Sequence, residues 1–175
     1  MNDMVHLIEP LIPALRRYAR VLVRDRSAAD DLVQDCLERA VGRWHQRRLD
    51  GDPRTWMFTI LHNLAVCRFR RQRRSPVEIE IDEASERDVS QMGSQERMVE
   101  VQDMLRCVDQ LSEEQRSVLL LVVLEDLSYA QAADVLGLPV GTVMSRLSRA
   151  RDRLIEMVDG AAKDQSSTPL LRRVK

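Results

Sequence analysis

The spacing of apolar residues along the chain predicts helices. Between positions 7 and 24 apolar residues recur at intervals of three and four, which is the period of an amphipathic helix. A second apolar stripe runs over 32–44, and Ser27 with Asp30 has the form of a capping box for its helix. A third helix is expected to begin at Asp52-Pro53, because Asp is a good N-cap and Pro suits the first helical position.

The second half of the chain also has a helical pattern. Positions 76–95 are polar and acidic and indicate a linker; the alternation of Val77, Ile79 and Ile81 could be a strand, but no second strand is in sight. A fourth helix is predicted over 98–111. Two capping boxes follow, and the seven apolar residues between them favour a buried helix: Ser112 with Gln115, Ser128 with Gln131, and the run 118–124.

We therefore expect an all-α protein with two small helical domains joined by a flexible acidic linker. The expected bounds are 1–75 for the first domain, 76–95 for the linker, 96–160 for the second domain and 161–175 for a tail.

A helix-turn-helix is predicted over 128–154. Ala133 would let two helices approach closely, and Gly137 permits the positive φ that ends a helix sharply. The inward positions of the second helix are Val140, Val143, Leu147, Ala150 and Leu154. Its outward positions carry hydroxyls and guanidinium groups, which hydrogen-bond bases and phosphates: Thr142, Ser145, Arg146, Arg149 and Arg153. The alternative is an ordinary helical bundle with an arginine-rich solvated face.

Charge is segregated along the 175 residues, although the formal net charge is only -1. Positions 1–75 hold 15 basic and 9 acidic side chains, 76–114 hold 3 and 12, and 115–175 hold 9 and 7. This asymmetry suggests a charged partner, with the acidic middle segment either kept off it or folded back as a competitor; the alternative is that the acidic linker is merely solvated. No apolar run is long enough to cross a bilayer and no targeting segment is evident, so we expect a cytoplasmic protein without membrane insertion.

The third helix mixes aromatic and basic side chains. Such pairings of a stacking surface with positive charge bind single-stranded nucleic acid. Trp56 lies on the apolar stripe and is expected in the core, which leaves a larger set of candidates: Arg54, Phe58, Asn63, Arg68, Phe69, Arg70 and Arg71.

Enzymatic and metal chemistry find no support in the sequence. His6, His45 and His62 lack metal spacing, and no phosphate loop or nucleophile motif is present. The three cysteines form neither a disulfide framework nor a metal clip and are expected to be buried thiols. We expect no catalytic residues, no cofactor and no metal.

Four segments, taken in order, resemble the extracytoplasmic-function (ECF) group of bacterial sigma factors. They are DDLVQDCLERA (30–40), WMFTILHNLAVCRFRR (56–71), LSEEQRSVLLL (111–121) and VGTVMSRLSRARDRL (140–154). The resemblance implies that the two domains are sigma regions two and four. It also implies an alternative sigma factor that binds core RNA polymerase, recognises minus-ten and minus-thirty-five promoter DNA, and starts transcription of a stress or envelope-response regulon under an anti-sigma factor.

The resemblance assigns roles to individual residues. Core-polymerase binding falls to Asp31, Leu32, Gln34 and Asp35. Minus-ten DNA binding falls to Arg47, Arg48, Arg54, Phe58, Asn63, Arg68, Arg70 and Arg71, and minus-thirty-five binding to Thr142, Ser145, Arg146, Arg149 and Arg153.

Two rival functions use the same pattern. A sigma-like decoy would titrate an anti-sigma factor and would have no need of the basic faces at 68–74 and 146–153. A helix-turn-helix repressor would need a dimer interface and a palindromic site.

Overall fold

The computed structural model describes residues 2–47, 51–74 and 95–166, and within these ranges the chain is helical with no strand. We call residues 2–74 the basic lobe; its helices are α1 (Asn2–Ile8), α2 (Ile12–Val23), α3 (Arg26–Arg43) and α4 (Pro53–Arg74), with short 3-10 turns at Glu9–Leu11 and Trp44–Gln46. We call residues 95–166 the helix-turn-helix lobe; its helices are α5 (Gln95–Asp109), α6 (Glu113–Leu119), a π-helical segment (Leu120–Leu124), α7 (Tyr129–Leu136) and α8 (Val140–Ser166).

The helix boundaries of the basic lobe follow from capping side chains. Arg24 takes a left-handed conformation with φ 64° and ends α2. Asp25 then caps α3, because its carboxylate accepts from the backbone N–H of Ala28. The predicted cap at Ser27 is therefore wrong by two residues, and Ser27 lies inside the helix. Asp52 caps α4 as predicted, accepting from the N–H groups of Arg54 and Thr55 at 3.1 Å each.

The predicted caps of the helix-turn-helix lobe are confirmed. Ser112 with Gln115 and Ser128 with Gln131 both form complete capping boxes, and Gly137 adopts φ 63° at the end of α7. The run 118–124 is buried only in its first part, because the π-helical segment turns Val123 outward to 58% exposure. Val140 was expected to face inward, but as the first residue of α8 it is 42% exposed.

The basic lobe has a core built on aromatic packing. The rings of Tyr18 and Phe58 meet edge to face with centroids 5.4 Å apart. Leu15, Leu22 and Leu61 are fully buried around them. Because α2, α3 and α4 all pack on this cluster, they form one rigid bundle that fixes the surface of α4.

The two lobes pack against each other. Helices α2 and α4 of the basic lobe lie on α6, α7 and the π-helical segment, and the buried apolar residues of both lobes form one continuous cluster. Residues 75–94, which hold most of the predicted linker with its possible strand at 77–81, lie outside the described residues. The proposed bounds of the two domains therefore remain a prediction.

Candidate nucleic-acid interface

Helix α8 presents a polar row on the side opposite its core residues. Val143, Leu147 and Ala150 are buried, as predicted. Ser145, Arg149 and Arg153 are exposed, whereas Thr142 and Arg146 are partly covered, so three of the five candidate residues lie on the exposed side of the helix. A row of guanidinium and hydroxyl groups on a second helix-turn-helix helix has the chemistry needed in a major groove.

Helix α4 presents a second basic surface. Asn63, Arg70 and Arg71 are exposed and Arg68 is half-buried, so the predicted cluster is brought together along one helix. The last turn adds Arg73 and Arg74, which also suit a helix C-terminus.

The two candidate surfaces meet at a cleft between the lobes. This cleft of about 400 Å³ is lined by Asn63 and Arg70 from α4 and by Arg146 from α8. Within it the Arg146 guanidinium lies 3.0 Å from the carboxylate of Glu114 on α6. Both candidate DNA-binding sets therefore face partly toward each other in this arrangement.

Aromatic side chains from either side of the loop before α4 pack together. The rings of Trp44 and Trp56 pack edge to face at 5.8 Å, and the Arg47 guanidinium lies 4.7 Å above the Trp44 ring. Arg47 also donates to the carbonyl of Gly51 at 3.1 Å. Trp56 packs against the core, in agreement with its position on the apolar stripe. Arg48, a predicted minus-ten residue, lies outside the described residues.

Two of the candidate residues are corrected by their burial. Phe58 has no exposed surface and packs on Tyr18, so its ring offers no face on which a base could stack. Leu32 is also buried, because the apolar stripe of α3 faces the core. Phe58 was a candidate because it lies among basic residues, and Leu32 because the family resemblance assigns it a role; the helical period places both side chains inside.

The remaining candidates on α3 form an exposed acidic face. Asp31, Gln34 and Asp35 are exposed, and Gln34 donates to Glu38 at 3.1 Å one turn later. None of the element pairs in close contact joins α3 to the helix-turn-helix lobe among the described residues. The face is thus open to a partner while the lobes are together.

The contacts between the lobes pair arginines of the basic lobe with carboxylates of the other. Arg17 makes a bidentate contact with Glu125, from Nε to Oε1 at 3.0 Å and from Nη2 to Oε2 at 2.8 Å. Arg54 approaches the same residue and donates through Nη2 to its backbone carbonyl at 2.5 Å and to Oε2 at 3.5 Å. Two further pairs are Arg73 with Glu113 at 3.0 Å and Arg24 with Asp109 at 3.5 Å.

Two of these pairs involve the acidic segment that the sequence places between the two basic parts of the chain. Asp109 and Glu113 belong to the acidic segment 76–114, which favours the folded-back alternative for that end of it. Arg17 and Glu125 were not identified from the sequence, since Glu125 follows an apolar run and Arg17 lies on an ordinary polar helix face. No sequence signal joins residues 108 positions apart.

Burial changes the proton affinity of two groups beside this contact. The Tyr18 hydroxyl lies 3.2 Å from Nδ1 of His62 and is hydrogen-bonded to Ser117 of the other lobe. Burial raises the pKa of Tyr18 well above its usual range, and the charge of Glu125 adds to this. Burial lowers the pKa of His62 to about 4, so its imidazole is neutral near pH 7.

The described residues hold no group of three or more His, Cys, Asp or Glu side chains that could bind a metal ion. Cys36 and Cys107 are buried as expected, whereas Cys67 is exposed on α4. Within the same part of the chain, no helix has the length and hydropathy needed to span a membrane.

Comparisons with known proteins match both lobes. Residues 8–62 match the family model described as the sigma2 domain of PhyR, and residues 102–154 match sigma-70 region 4. The ECF RNA polymerase sigma factor EcfG of Rhodopseudomonas palustris (strain TIE-1) is 35% identical over 153 residues, covering 86% of this chain and 83% of that protein. The ECF RNA polymerase sigma factor SigC of Mycobacterium tuberculosis (strain CDC 1551 / Oshkosh) is 36% identical over 75% of this chain and 70% of its own.

Solved structures agree with these matches. The sigma factor RpoE from Bartonella quintana, in complex with the anti-sigma factor NepR, superposes with a TM-score of 0.79 at 32% identity, covering 91% of this chain and 98% of RpoE. CnrH, in complex with the cytosolic domain of CnrY, gives a TM-score of 0.68 at 26% identity over 91% of this chain and 89% of CnrH.

Proposed function

Since this chain belongs to the extracytoplasmic-function group of RNA polymerase sigma factors, we propose that its two lobes divide promoter recognition between them. Members of this group are not enzymes; they bind core RNA polymerase and promoter DNA and start transcription. The observation that carries the proposal is the presence of two basic surfaces, one on α4 and one on α8, on helices whose other side is buried and apolar.

Helix α8 reads the minus-thirty-five element in this proposal. Thr142, Ser145 and Arg146 lie near the start of the helix, which is the part of a recognition helix that enters the major groove. Arg149 and Arg153 continue the row and contact bases or phosphates further along.

The loop before α4 and the exposed face of α4 bind the minus-ten element. Arg47 and Arg54 flank the loop, and Asn63, Arg70 and Arg71 supply donors along the helix. With Phe58 buried, aromatic stacking is reduced here, so charge and hydrogen bonding provide most of the single-strand affinity.

The exposed acidic face of α3 docks on core RNA polymerase through Asp31, Gln34 and Asp35. The similar sigma factor from Bartonella quintana is complexed with an anti-sigma factor, and we propose that a protein of this type controls the present chain as well. Its site of action is the cytoplasm, where RNA polymerase and the chromosome are found.

Transcription by sigma-free core polymerase on a fragmented genomic library tests the proposal. Transcript starts that share two spaced motifs are the expected result, and those motifs identify the promoter. On that promoter, Arg149→Ala weakens binding by about 1–3 kcal/mol if Arg149 contacts a base, and nearly equally on all sequences if it contacts phosphate. The matched control is Arg151→Ala, an exposed arginine of α8 outside the polar row. Equal effects of the two changes would remove Arg149 from the interface.

The role of α4 is tested by open-complex formation. Replacing Arg70 and Arg71 with Ala is expected to reduce permanganate reactivity at the minus-ten element while leaving binding to core polymerase intact. Loss of both properties together would contradict a specific role in promoter opening.

A decoy function is the second candidate, because the family model that matches the basic lobe describes a domain of PhyR, and the PhyR of Bartonella quintana is an anti-anti-sigma factor. A decoy has no need of exposed arginines on α4 and α8, and this chain presents them. Failure to bind core polymerase, combined with binding to an anti-sigma factor, would favour the decoy.

A further inference from the structure

The cleft between the lobes has the size of a small-molecule site. Its volume of about 400 Å³ falls within the range of about 300–1,000 Å³ that is typical of such sites. Helix α4 forms one wall of the cleft, and α6, α7 and α8 together form the other. A ligand in this cleft would therefore touch both lobes.

The lining of the cleft has a net positive charge. Arg70 and Arg73 lie one turn apart on α4, and Arg146 comes from α8. Two carboxylates of α6 face these arginines: Glu113 lies 3.0 Å from Arg73, and Glu114 lies 3.0 Å from Arg146. Among the described residues, Arg70 has no carboxylate partner, so one guanidinium group in the cleft remains without charge compensation.

The ion pairs in the cleft are weak enough for an anion to replace them. The contact between Arg146 and Glu114 joins Nη2 to Oε2, and a guanidinium group has further N–H donors to offer. The Glu114 side chain is 68% exposed, and a pair that water reaches in this way contributes little to stability. A phosphate group accepts bidentate hydrogen bonds from arginine and can take the place of this carboxylate.

An apolar wall lies beside the charged groups. Phe69 and Val66 are one turn apart on α4, and Leu136 and Leu138 come from the other lobe. Phe69 is only partly buried, and an aromatic ring that is still accessible is a surface on which a planar base stacks. The amide of Asn63 lines the same cleft and can both donate and accept hydrogen bonds, as the edge of a base requires.

We propose that this cleft binds a free nucleoside phosphate, with its phosphates on the arginines and its base against Phe69. Inorganic phosphate would leave the apolar wall uncovered, and an apolar ligand would leave the guanidinium groups unused. A molecule that joins a planar ring to several negative charges matches both parts of the lining. This site is independent of the promoter-binding roles proposed above.

Isothermal titration calorimetry of the full chain with ATP tests the site. Tripolyphosphate has the phosphate chain of ATP without the base, and adenosine has the base without the phosphates. We expect ATP to bind at least about tenfold more tightly than either, because base stacking and charge-assisted hydrogen bonds each contribute about this factor. Equal binding of ATP and tripolyphosphate would reduce the site to a general attraction for anions and would overturn the proposal.

Arg70→Gln is the variant that tests the charged part of the cleft. It is expected to weaken ATP binding by about tenfold or more, because a charge-assisted hydrogen bond is lost. The matched control is Arg71→Gln, since Arg71 is the adjacent exposed arginine of α4 and is not one of the residues that line the cleft. If both changes weakened ATP binding equally, ATP would be responding only to the overall charge of α4, and the proposal would fail.

Phe69→Leu tests the apolar part of the cleft. Leu keeps an apolar side chain at this partly buried position but removes the ring. We expect the affinity for ATP to fall to that for tripolyphosphate, and an unchanged affinity for ATP would contradict base stacking at this wall. If this variant does not fold, the exposed Arg70→Gln change and its control still decide the proposal.

Glu114→Gln should act in the opposite direction. It removes the carboxylate that competes with a phosphate for Arg146, so ATP should bind about three- to fivefold more tightly. The control is Asp103→Asn, which removes a carboxylate paired with Arg106 within α5, outside the cleft. An affinity that is unchanged in Glu114→Gln, or raised equally in the control, would contradict phosphate binding at Arg146.

A strand of nucleic acid also joins bases to phosphates, so its binding is measured beside that of ATP. Fluorescence anisotropy with labelled oligo(dT) reports strand binding to the same variants. For a free nucleotide in the cleft, we expect oligo(dT) binding to be independent of Phe69. Oligo(dT) that binds more tightly than ATP and is weakened by Phe69→Leu would assign the cleft to a strand and would overturn the proposal.

Discussion

Replacing the buried Arg116 with Met should destabilise the protein strongly. The Arg116 guanidinium is almost fully buried and donates to four backbone carbonyls. Three of them belong to the corner between α5 and α6: Val108 at 3.1 Å, Asp109 at 2.9 Å and Leu111 at 2.8 Å. The fourth is the carbonyl of Leu22 at the end of α2, at 3.4 Å.

The size of the loss in stability depends on which carbonyl groups are left without a hydrogen-bond donor. The Val108 carbonyl also accepts from the N–H of Leu111, and the Asp109 carbonyl also accepts from the Arg24 guanidinium. The cost therefore falls on the carbonyls of Leu22 and Leu111. A buried acceptor without a partner costs about 1–3 kcal/mol, so the two carbonyls together should lower the free energy of unfolding by about 2–6 kcal/mol.

Urea unfolding followed by circular dichroism measures this change. Met retains most of the methylene packing, so the loss reports mainly on hydrogen bonding. The control is Arg106→Met, because Arg106 is exposed and pairs with Asp103 on the same helix, and its replacement should change stability by less than about 0.5 kcal/mol. A loss below about 1 kcal/mol for Arg116→Met would refute the reasoning.

Four further substitutions have expected outcomes in thermal unfolding. The pKa of His62 is about 4 in the folded chain, whereas its ordinary value is 6.5, so the unfolded chain binds more protons between these two pH values. The free energy of unfolding should therefore fall as the pH drops from 6.5 to about 4, and His62→Asn should flatten that dependence. Gly137→Ala should lower the free energy of unfolding by about 1–2 kcal/mol because φ at Gly137 is 63°. Gly42→Ala within α3 should raise it by about 0.5–1 kcal/mol. If both substitutions changed stability in the same direction, the backbone argument would be contradicted. Ser128→Ala removes a capping box and should cost about 1 kcal/mol, and no loss would mean that the cap is dispensable.

Local signals account for the parts of the fold that could be predicted. Both capping boxes and the left-handed Gly137 depend on residues within a few positions of one another, and each was recognised from the sequence. Ser27 was mistaken for a cap because Asp25, two residues earlier, has a similar propensity and packing decided between them. The end of the 118–124 run was also mispredicted, because no periodicity identifies a π-helical turn.

In the candidate site, too, the features that depend on local sequence could be predicted and those that depend on tertiary packing could not. The polar row of α8 follows from helical period alone; Ser145, Arg149 and Arg153 are exposed as expected, whereas Arg146 faces the cleft beside Glu114. Phe58 and Leu32 were given binding roles from their motifs, although the helical period places both side chains inside, and both are core residues. Glu125 was missed because its partners, Arg17 and Arg54, lie in the other lobe, and only the tertiary structure brings them together.

The π-helical segment makes the packing of the two lobes sensitive to the number of residues in that segment. Its widened turn is closed by the bond from the N–H of Glu125 to the carbonyl of Leu120 at 2.9 Å, five residues back instead of four. Deleting one residue of Leu120–Leu124 would restore an ordinary α-helical register and rotate everything that follows by about 100°. The helix-turn-helix would keep its own sequence and caps, yet Glu125 would leave the two arginines. A single codon lost at this point would therefore change how the lobes are coupled without altering any of the proposed DNA-binding residues.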